Sequence, residues 1–104
     1  MSRHIDLNCD MGEGETDASA ALDRELMRFI SGCSIACGGH AGSEHTMRRT
    51  AASALDAGLR IGAHPSYPDR ENFGRQSMSM SGSALSVAIT EQIAALKAIV
   101  TELG

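Results

Sequence analysis

The stretch CSIACGGHAG, residues 33–42, runs from small and β-branched apolar residues directly into two glycines and a histidine. Its first five residues have the composition of a short buried strand, which we place at 33–37. Gly38 and Gly39 allow the backbone to turn sharply at the end of that strand and to approach a ligand closely. The stretch therefore predicts a strand that delivers His40 to the rim of a sheet.

The same alternation of strand and helix occurs three times along the chain. Such alternation predicts an α/β fold in which the strands are parallel and the crossovers are right-handed. Ser43 is a plausible N-cap for the second helix, and Gly58 lies where a helix favours a left-handed residue after its end. The predicted strands cover 4–10, 33–37 and 59–64, the predicted helices cover 17–30, 43–58 and 83–103, and a long loop covers 65–82.

The number of βα units is too small for a closed barrel. The chain has 104 residues, whereas a (β/α) barrel takes about 250. A three-stranded parallel sheet with helices on one face would also leave its other face bare, although parallel sheets are normally covered on both sides. We therefore expect residues 1–104 to form one partial (β/α)-barrel domain, the N-terminal part of something larger or a chain that needs a partner or associates with itself.

Composition and charge exclude several function classes. The net charge is −4 and no basic stripe is present, so nucleic acid is not an expected partner. No apolar run approaches the roughly 20 residues of a membrane helix, and the N-terminus lacks a signal-peptide core. The three cysteines are an odd number, and two lie in strand-like segments. These features predict reduced thiols in a cytoplasmic protein with no membrane partner.

Polar side chains lie at the ends of all three predicted strands. In parallel α/β folds the active site lies at the carboxyl ends of the strands. Carboxylate and imidazole groups there suit general acid–base catalysis or a divalent metal. Two blander interpretations remain open, a solvent-facing strand for the carboxylates and a structural role for the histidines. The residues are Asp6, Asn8 and Asp10, which alternate on one face of the first strand, with His40 after the second strand and His64 ending the third.

The loop at 65–82 is the longest irregular segment, and loops of this length are often functional. Its Tyr67, Arg70 and Arg75 suit an acidic or amide substrate, and either arginine could pair with a substrate carboxylate. The glycine-rich segments at 12–14 and 37–42 lack the Lys-Ser/Thr of a Walker phosphate loop.

Four ordered motifs carry a resemblance to a known family. They are DLNCDMGEG (6–14), IACGGHAG (35–42), IGAHPSYPDRENFGR (61–75) and QIAAL (92–96). At this order and spacing the chain resembles the LamB/YcsF family, which is equated with the A subunit of bacterial 5-oxoprolinase. The resemblance runs from Ile5 to about Leu96.

The resemblance implies a barrel of the glycoside hydrolase/deacetylase type. It also implies ATP-dependent cleavage of 5-oxo-L-proline to L-glutamate, together with partner subunits B and C. Family proteins are more than twice as long, and a later motif with Lys, Pro and His is absent from these residues. The polar groups of the family's site correspond to Asp6, Asn8, Asp10, His40 and His64. The resemblance does not decide whether a metal is required. With the residues singled out above, the catalytic candidates are Asp6, Asp10, His40 and His64, the substrate-binding candidates are Asn8, Gly38, Gly39, Tyr67, Arg70 and Arg75, and Asp10, His40 and His64 would bind a metal if one is present.

Two other functions stay open at this stage. One is a metal-dependent amide hydrolase or deacetylase that acts on carbohydrate. The other is an inactive chain that serves only as an assembly module. The sequence decides neither the metal nor which of the four catalytic candidates is the base.

Overall fold

Three parallel strands in the order β1-β2-β3 organise the computed structural model, which describes residues 3–104. β1 spans Asn8–Met11, β2 spans Gly32–Ala36 and β3 spans Arg60–His64. Pairing is in register, with Cys9 beside Cys33 and Cys33 beside Ile61. The parallel sheet confirms the predicted α/β class.

β1 is shorter than the predicted strand at 4–10. The chain before it is anchored by hydrogen bonds outside the regular ladder, because the Leu7 N–H donates to the Ser31 Oγ and the Leu7 carbonyl accepts from the Ser31 and Gly32 N–H groups. The other two strands lie within one residue of their predicted bounds.

Each strand is followed by a helix with a side-chain cap. α1 spans Asp17–Leu26, α2 spans Glu44–Asp56 and α3 spans Gly82–Leu103. The cap of α1 is Thr16, whose hydroxyl accepts from the Ser19 N–H.

The ends of the first two helices show what local sequence determines. α1 gives way to a 3-10 turn at Met27–Phe29, so the helix predicted to reach residue 30 ends early. Ser43 caps α2 as predicted, in a capping box that it shares with Thr46. Gly58 has φ of 73° just beyond that helix, as predicted from its place in the sequence.

The core lies between the sheet and the helices on one of its faces. Strand alternation directs one set of side chains toward the helices and the other set away from them. The core-facing set is apolar, whereas Asn8 and Asp10 on the other face are exposed. The strand residues in the core or packed against it are Cys9, Met11, Cys33, Ile35, Ile61 and Ala63.

α3 is more apolar than the sequence analysis expected. An 18-residue stretch of α3 has a mean hydropathy of 1.4, so by length and composition the helix could cross a membrane. Only 11% of that stretch is buried inside the protein. It nevertheless packs against α2 and β3. Gln92, Leu96 and Ile99 are its buried residues, so one stripe of this helix belongs to the core.

All three cysteines are free, as expected. Cys33 and Cys37 are buried in the core, and Cys9 is half-buried. Burial, reinforced by the nearby charge of Asp23, raises the pKa of the Cys33 thiol to about 11. These thiols are therefore packing groups.

Candidate active site

A cavity of about 510 Å³ opens at the carboxyl edge of the sheet. Its volume lies in the range of small-molecule sites. Its polar groups come from the carboxyl ends of the three strands and the turns after them. Its apolar wall is formed by the loop between β3 and α3 and by α3 itself. The lining residues are Asp10, Glu13, His40, His64, Pro65, Ser66, Tyr67, Phe73, Gly74, Arg75, Leu85 and Ile89.

The end of β1 and the turn that follows it position the two carboxylates of the cavity. Gly12 has φ of 72°, a conformation that favours glycine, and its N–H donates to Asp23 of α1 at 3.0 Å. Asp10 lies on the uncovered face of the sheet just before this turn, and Glu13 follows it. Helix α1 therefore fixes where Glu13 projects.

The turn after β2 positions His40. Gly38 and Gly42 have φ of 95° and 90°, and the Gly38 N–H donates to the Ala41 carbonyl at 2.9 Å. This tight turn returns the chain beneath the cavity, which leaves His40 only 3% exposed. The glycine-rich segment therefore turns the chain as predicted.

Both ring nitrogens of His40 have oxygen neighbours. Nε2 lies 2.7 Å from the Glu13 Oε2, and Nδ1 lies 3.2 Å from the Ser66 Oγ. The rings of Phe73 and His40 lie nearly perpendicular to each other, with their centroids 4.7 Å apart. These contacts fix the orientation of a buried imidazole.

Ser66 is itself held by α3. The Gln92 side chain accepts from the Ser66 N–H at 3.0 Å and donates to the Ser66 carbonyl at 2.8 Å. Gly39 permits this contact, because a Cβ there would lie 2.5 Å from the Gln92 Oε1. Gln92 is therefore a positioning residue for His40, acting through Ser66.

His64 ends β3 and stacks beside His40. The two rings are tilted by 48° with their centroids 4.5 Å apart. The His64 Nδ1 is buried without a hydrogen-bond partner, and Asp10 Oδ1 lies 3.6 Å away. An unpaired buried nitrogen of this kind is costly, so it marks a place where a ligand group would be stabilised.

The structure brings five of the predicted site residues to the cavity. They are Asp10, His40, His64, Tyr67 and Arg75. Arg75 lies over the Phe73 ring, with its guanidinium carbon 5.5 Å from the ring centroid. It places a positive charge at the cavity mouth.

Asp6 and Asn8 do not share this rim, so the expectation that the first strand brings both to the site is wrong. Asp6 forms an ion pair with Arg60 at the start of β3. This ion pair, together with a hydrogen bond from Ser31, lowers the pKa of the exposed Asp6 carboxyl. Asn8 accepts from the Ser34 hydroxyl at 2.8 Å. The reason is strand length, since residue 6 lies four positions, or roughly 13 Å, before residue 10.

Arg70 also differs from its predicted position in the binding site. Its guanidinium donates to the Gly38 carbonyl at 3.3 Å and to the Gly42 carbonyl at 2.7 Å. It also reaches Glu15 at 3.3 Å. The Arg70 guanidinium therefore holds the loop against the glycine turn. Of the two predicted arginines, Arg75 is the one that lines the cavity.

The predicted binding glycines act behind the cavity. Neither Gly38 nor Gly39 is among the lining residues. Gly38 supplies the left-handed backbone of the turn, and Gly39 makes room for Gln92 and Ser66. Their contribution is to shape the turn.

Glu13 is the site residue that the sequence analysis missed. The segment GEG at 12–14 drew attention only as a glycine-rich turn. The signal was available, because Glu13 lies in the turn after the first strand, as His40 lies in the turn after the second. Its side chain is 28% exposed and faces the cavity.

The arrangement supports two kinds of chemistry. A carboxylate beside an imidazole is suited to moving protons at a substrate. In addition, Glu13, His40 and His64 each offer one ligand atom, and all three atoms lie within 4.8 Å of one another. A divalent ion is therefore compatible with the residues present.

Comparison with known proteins gives the family. The LamB/YcsF family model matches residues 5–104. A crystal structure of the lactam utilization protein from Thermus thermophilus superimposes with a TM-score of 0.88 at 34% sequence identity, covering 96% of this chain. The chain spans 40% of the length of that protein, so its βα units form part of the barrel-like fold. This chain belongs to the LamB/YcsF family.

Proposed function

We propose that this chain supplies the lactam-binding part of a 5-oxoprolinase A subunit. The observation that carries the proposal is the joining of Asp10, Glu13, His40 and His64 in one cavity of about 510 Å³. Membership of the LamB/YcsF family and the likeness to a lactam utilization protein support a lactam as substrate. The proposed protein works in the cytoplasm with subunits B and C and consumes ATP.

The proposed reaction opens a resonance-stabilised cyclic amide. Phosphoryl transfer from ATP to the lactam oxygen releases ADP and makes the ring carbon electrophilic. Water adds to that carbon, the C–N bond breaks, and the nitrogen takes a proton to become the amine of γ-glutamyl phosphate. A second water molecule releases phosphate and leaves L-glutamate.

The cavity residues suggest a division of roles. Asp10 is exposed to the cavity and is the proposed base for the attacking water. His40 and His64 polarise the carbonyl or deliver the proton to the leaving nitrogen. Arg75 pairs with the substrate carboxylate, because Arg70 is already bonded to backbone carbonyls.

The test is turnover of 5-oxoproline by this chain combined with subunits B and C and ATP. We expect His40→Ala and His64→Ala each to lower kcat/KM by at least 100-fold, the lower end for loss of a general acid–base group. His45→Ala is the matched control, since His45 is exposed in the first turn of α2. Turnover that survives in both cavity variants would refute these roles.

The cluster of ligand atoms also favours a second candidate, a metal-dependent hydrolase of carbohydrate amides. That activity needs no ATP. Release of acetate from an N-acetylated sugar by the zinc-loaded chain, with no nucleotide present, would favour it over lactam cleavage.

A further inference from the structure

The pairing of His40 with Glu13 leaves one proton to be assigned. The Ser66 hydroxyl has one hydrogen, and the Tyr67 carbonyl lies 3.0 Å from it as an acceptor. Ser66 Oγ then accepts from the N–H at Nδ1 of His40. In neutral imidazole this tautomer turns the lone pair of Nε2 toward the Glu13 carboxylate, 2.7 Å away. Two acceptors facing each other need a proton or a cation between them.

We infer that the cation is a divalent metal ion of the zinc type, bound by Glu13, His40 and His64. Each of these side chains offers a ligand atom within 4.8 Å of the other two. A separate observation is that the buried Nδ1 of His64 makes no hydrogen bond, so this histidine has a ring nitrogen that no other group engages. The inference deepens the proposed function by assigning an ion to its cavity, but it does not depend on the reaction.

Small movements open this site for an ion. Ligand atoms at 2.0–2.1 Å from a tetrahedral zinc lie roughly 3.3 Å from each other. The 2.7 Å between Glu13 and His40 must therefore widen by roughly 0.6 Å. Glu13 can move, since its side chain is partly exposed and stands on a turn between two glycines. His40 is buried and stays fixed.

The surroundings of His40 match those of a metal-bound histidine. Such a histidine usually gives its second N–H to an oxygen, which fixes the tautomer and the ring orientation. Here Ser66 is that oxygen, and Gln92 holds the Ser66 backbone through two hydrogen bonds. The supporting hydrogen bonds of a metal ligand are thus already in place.

The ligand set identifies the class of ion. Two imidazoles and one carboxylate suit zinc and its late first-row neighbours, whereas calcium and magnesium prefer oxygen ligands throughout. Three protein ligands with the fourth position toward a cavity are typical of catalytic zinc sites. Asp10, which the sequence analysis grouped with the two histidines, stays free for the substrate in this arrangement.

Zinc binding to the purified chain tests the inference without any substrate. The chain is stripped with a chelator, its helical circular dichroism is checked, and Zn²⁺ alone is titrated by calorimetry. We expect one zinc per chain. X-ray absorption at the zinc edge should show two imidazole nitrogens near 2.0–2.1 Å and oxygen ligands. In the NMR spectrum the ring signals of His40 and His64 should shift, and those of His45 should not.

Variants provide the matched comparison. His40→Ala, His64→Ala and Glu13→Gln should each weaken zinc binding by about 100-fold or more, since loss of a supporting residue alone costs 10–100-fold. His45→Ala and Glu25→Gln should bind zinc like the parent chain. A folded chain that binds no zinc, or whose zinc shifts His45 in place of His40 and His64, overturns the inference. Zinc bound at these ligands without lactam turnover would leave the metal site standing and refute the proposed function alone.

Discussion

At the scale of single residues, the interior beneath the cavity leaves no room at Gly39. A Cβ there would lie 2.5 Å from the Gln92 Oε1 and 2.6 Å from the Ser66 Oγ. Both atoms end flexible side chains, so they can move, but moving them breaks the hydrogen bonds that position Ser66. We expect Gly39→Ala to lower the free energy of unfolding by about 1–2 kcal/mol, the worth of one or two hydrogen bonds.

Urea denaturation measures this cost. Gly82→Ala is the control, because a Cβ at Gly82 meets no atom within 4 Å and the residue begins α3. Alanine should leave stability there unchanged or slightly raised, since it favours helix more than glycine does. Equal effects at the two positions would contradict the close contact described for Gly39.

Burial of a thiol makes stability depend on pH at the same scale. The pKa of Cys33 is raised from 9.0 to about 11 in the folded chain, mainly by burial. The unfolded thiol ionises first as the pH rises, so the stabilisation is present below pH 9 and is lost as the pH rises through about 11. The free energy of unfolding should therefore fall in this window.

The measurement compares urea denaturation of the parent chain and of Cys33→Ala at pH 8, 9, 10 and 11. The variant is less stable throughout because it leaves a cavity, but its decline with pH should be shallower. Parallel declines would show that Cys33 does not titrate as described.

Single residues also show what sequence can predict about a site. The structure places His40 and His64 at the cavity, as expected from their positions, because one lies in the turn after an apolar strand, the other ends an apolar strand, and strand ends meet at one edge. Asp6 was wrongly predicted to lie at the cavity. Alternation determines which face of the sheet a side chain is on, but not how far along the strand it lies. Gln92 was not predictable as a positioning residue, since its contact with Ser66 arises only when α3 packs.

At the scale of elements, the segment between β3 and α3 depends on one arginine. Arg70 fastens it to the glycine turn through the Gly38 and Gly42 carbonyls. Within the segment Phe73 adopts φ of 56°, which is strained for an aromatic residue and persists only where surrounding contacts hold it. Removing the fastening should let this segment open.

We expect Arg70→Ala to make the segment several-fold more susceptible to limited proteolysis, because opened loops are the preferred sites of cleavage. Arg75→Ala is the matched control, since Arg75 contacts only the exposed Phe73 ring among the interactions described for it. Mass spectrometry of the fragments locates the cuts. Cleavage of both variants at the same rate would show that Arg70 is not the fastening residue.

Element boundaries were predictable where a local signal sets them. Ser43 and Gly58 bound α2 as predicted because a cap and a left-handed glycine act through the nearest turn of backbone. The end of α1 was not predictable in this way. Its apolar residues continue past Leu26, but the chain tightens into a 3-10 turn before β2.

At the scale of the whole molecule, the sheet has one covered face and one open face. The number of βα units predicted a partial fold, and the likeness to 40% of the Thermus protein agrees with it. Asn8 and Asp10 are exposed on the open face. What covers that face was not predictable, because covering it requires chain beyond these three units or another molecule.

The helix α3 decides whether these units behave as a packed globular layer. Its mean hydropathy alone would suit a membrane span, yet Ile99 is 5% exposed against the core while Ile93 is 43% exposed. If α3 packs on the core, truncating the buried isoleucine must cost more stability than truncating the exposed one. We expect Ile99→Ala to lower the free energy of unfolding by about 2–5 kcal/mol, the usual cost of truncating a buried isoleucine. Ile93→Ala should cost less than about 1 kcal/mol, because it leaves no cavity.

Urea denaturation of both variants, followed by circular dichroism, makes the comparison within one helix. The size of the difference reports how firmly α3 holds Gln92, and therefore Ser66 and His40, at the cavity. If both substitutions cost the same small amount, α3 does not pack on the sheet in solution. The cavity would then lose the wall formed by Leu85 and Ile89 together with the support of its buried histidine.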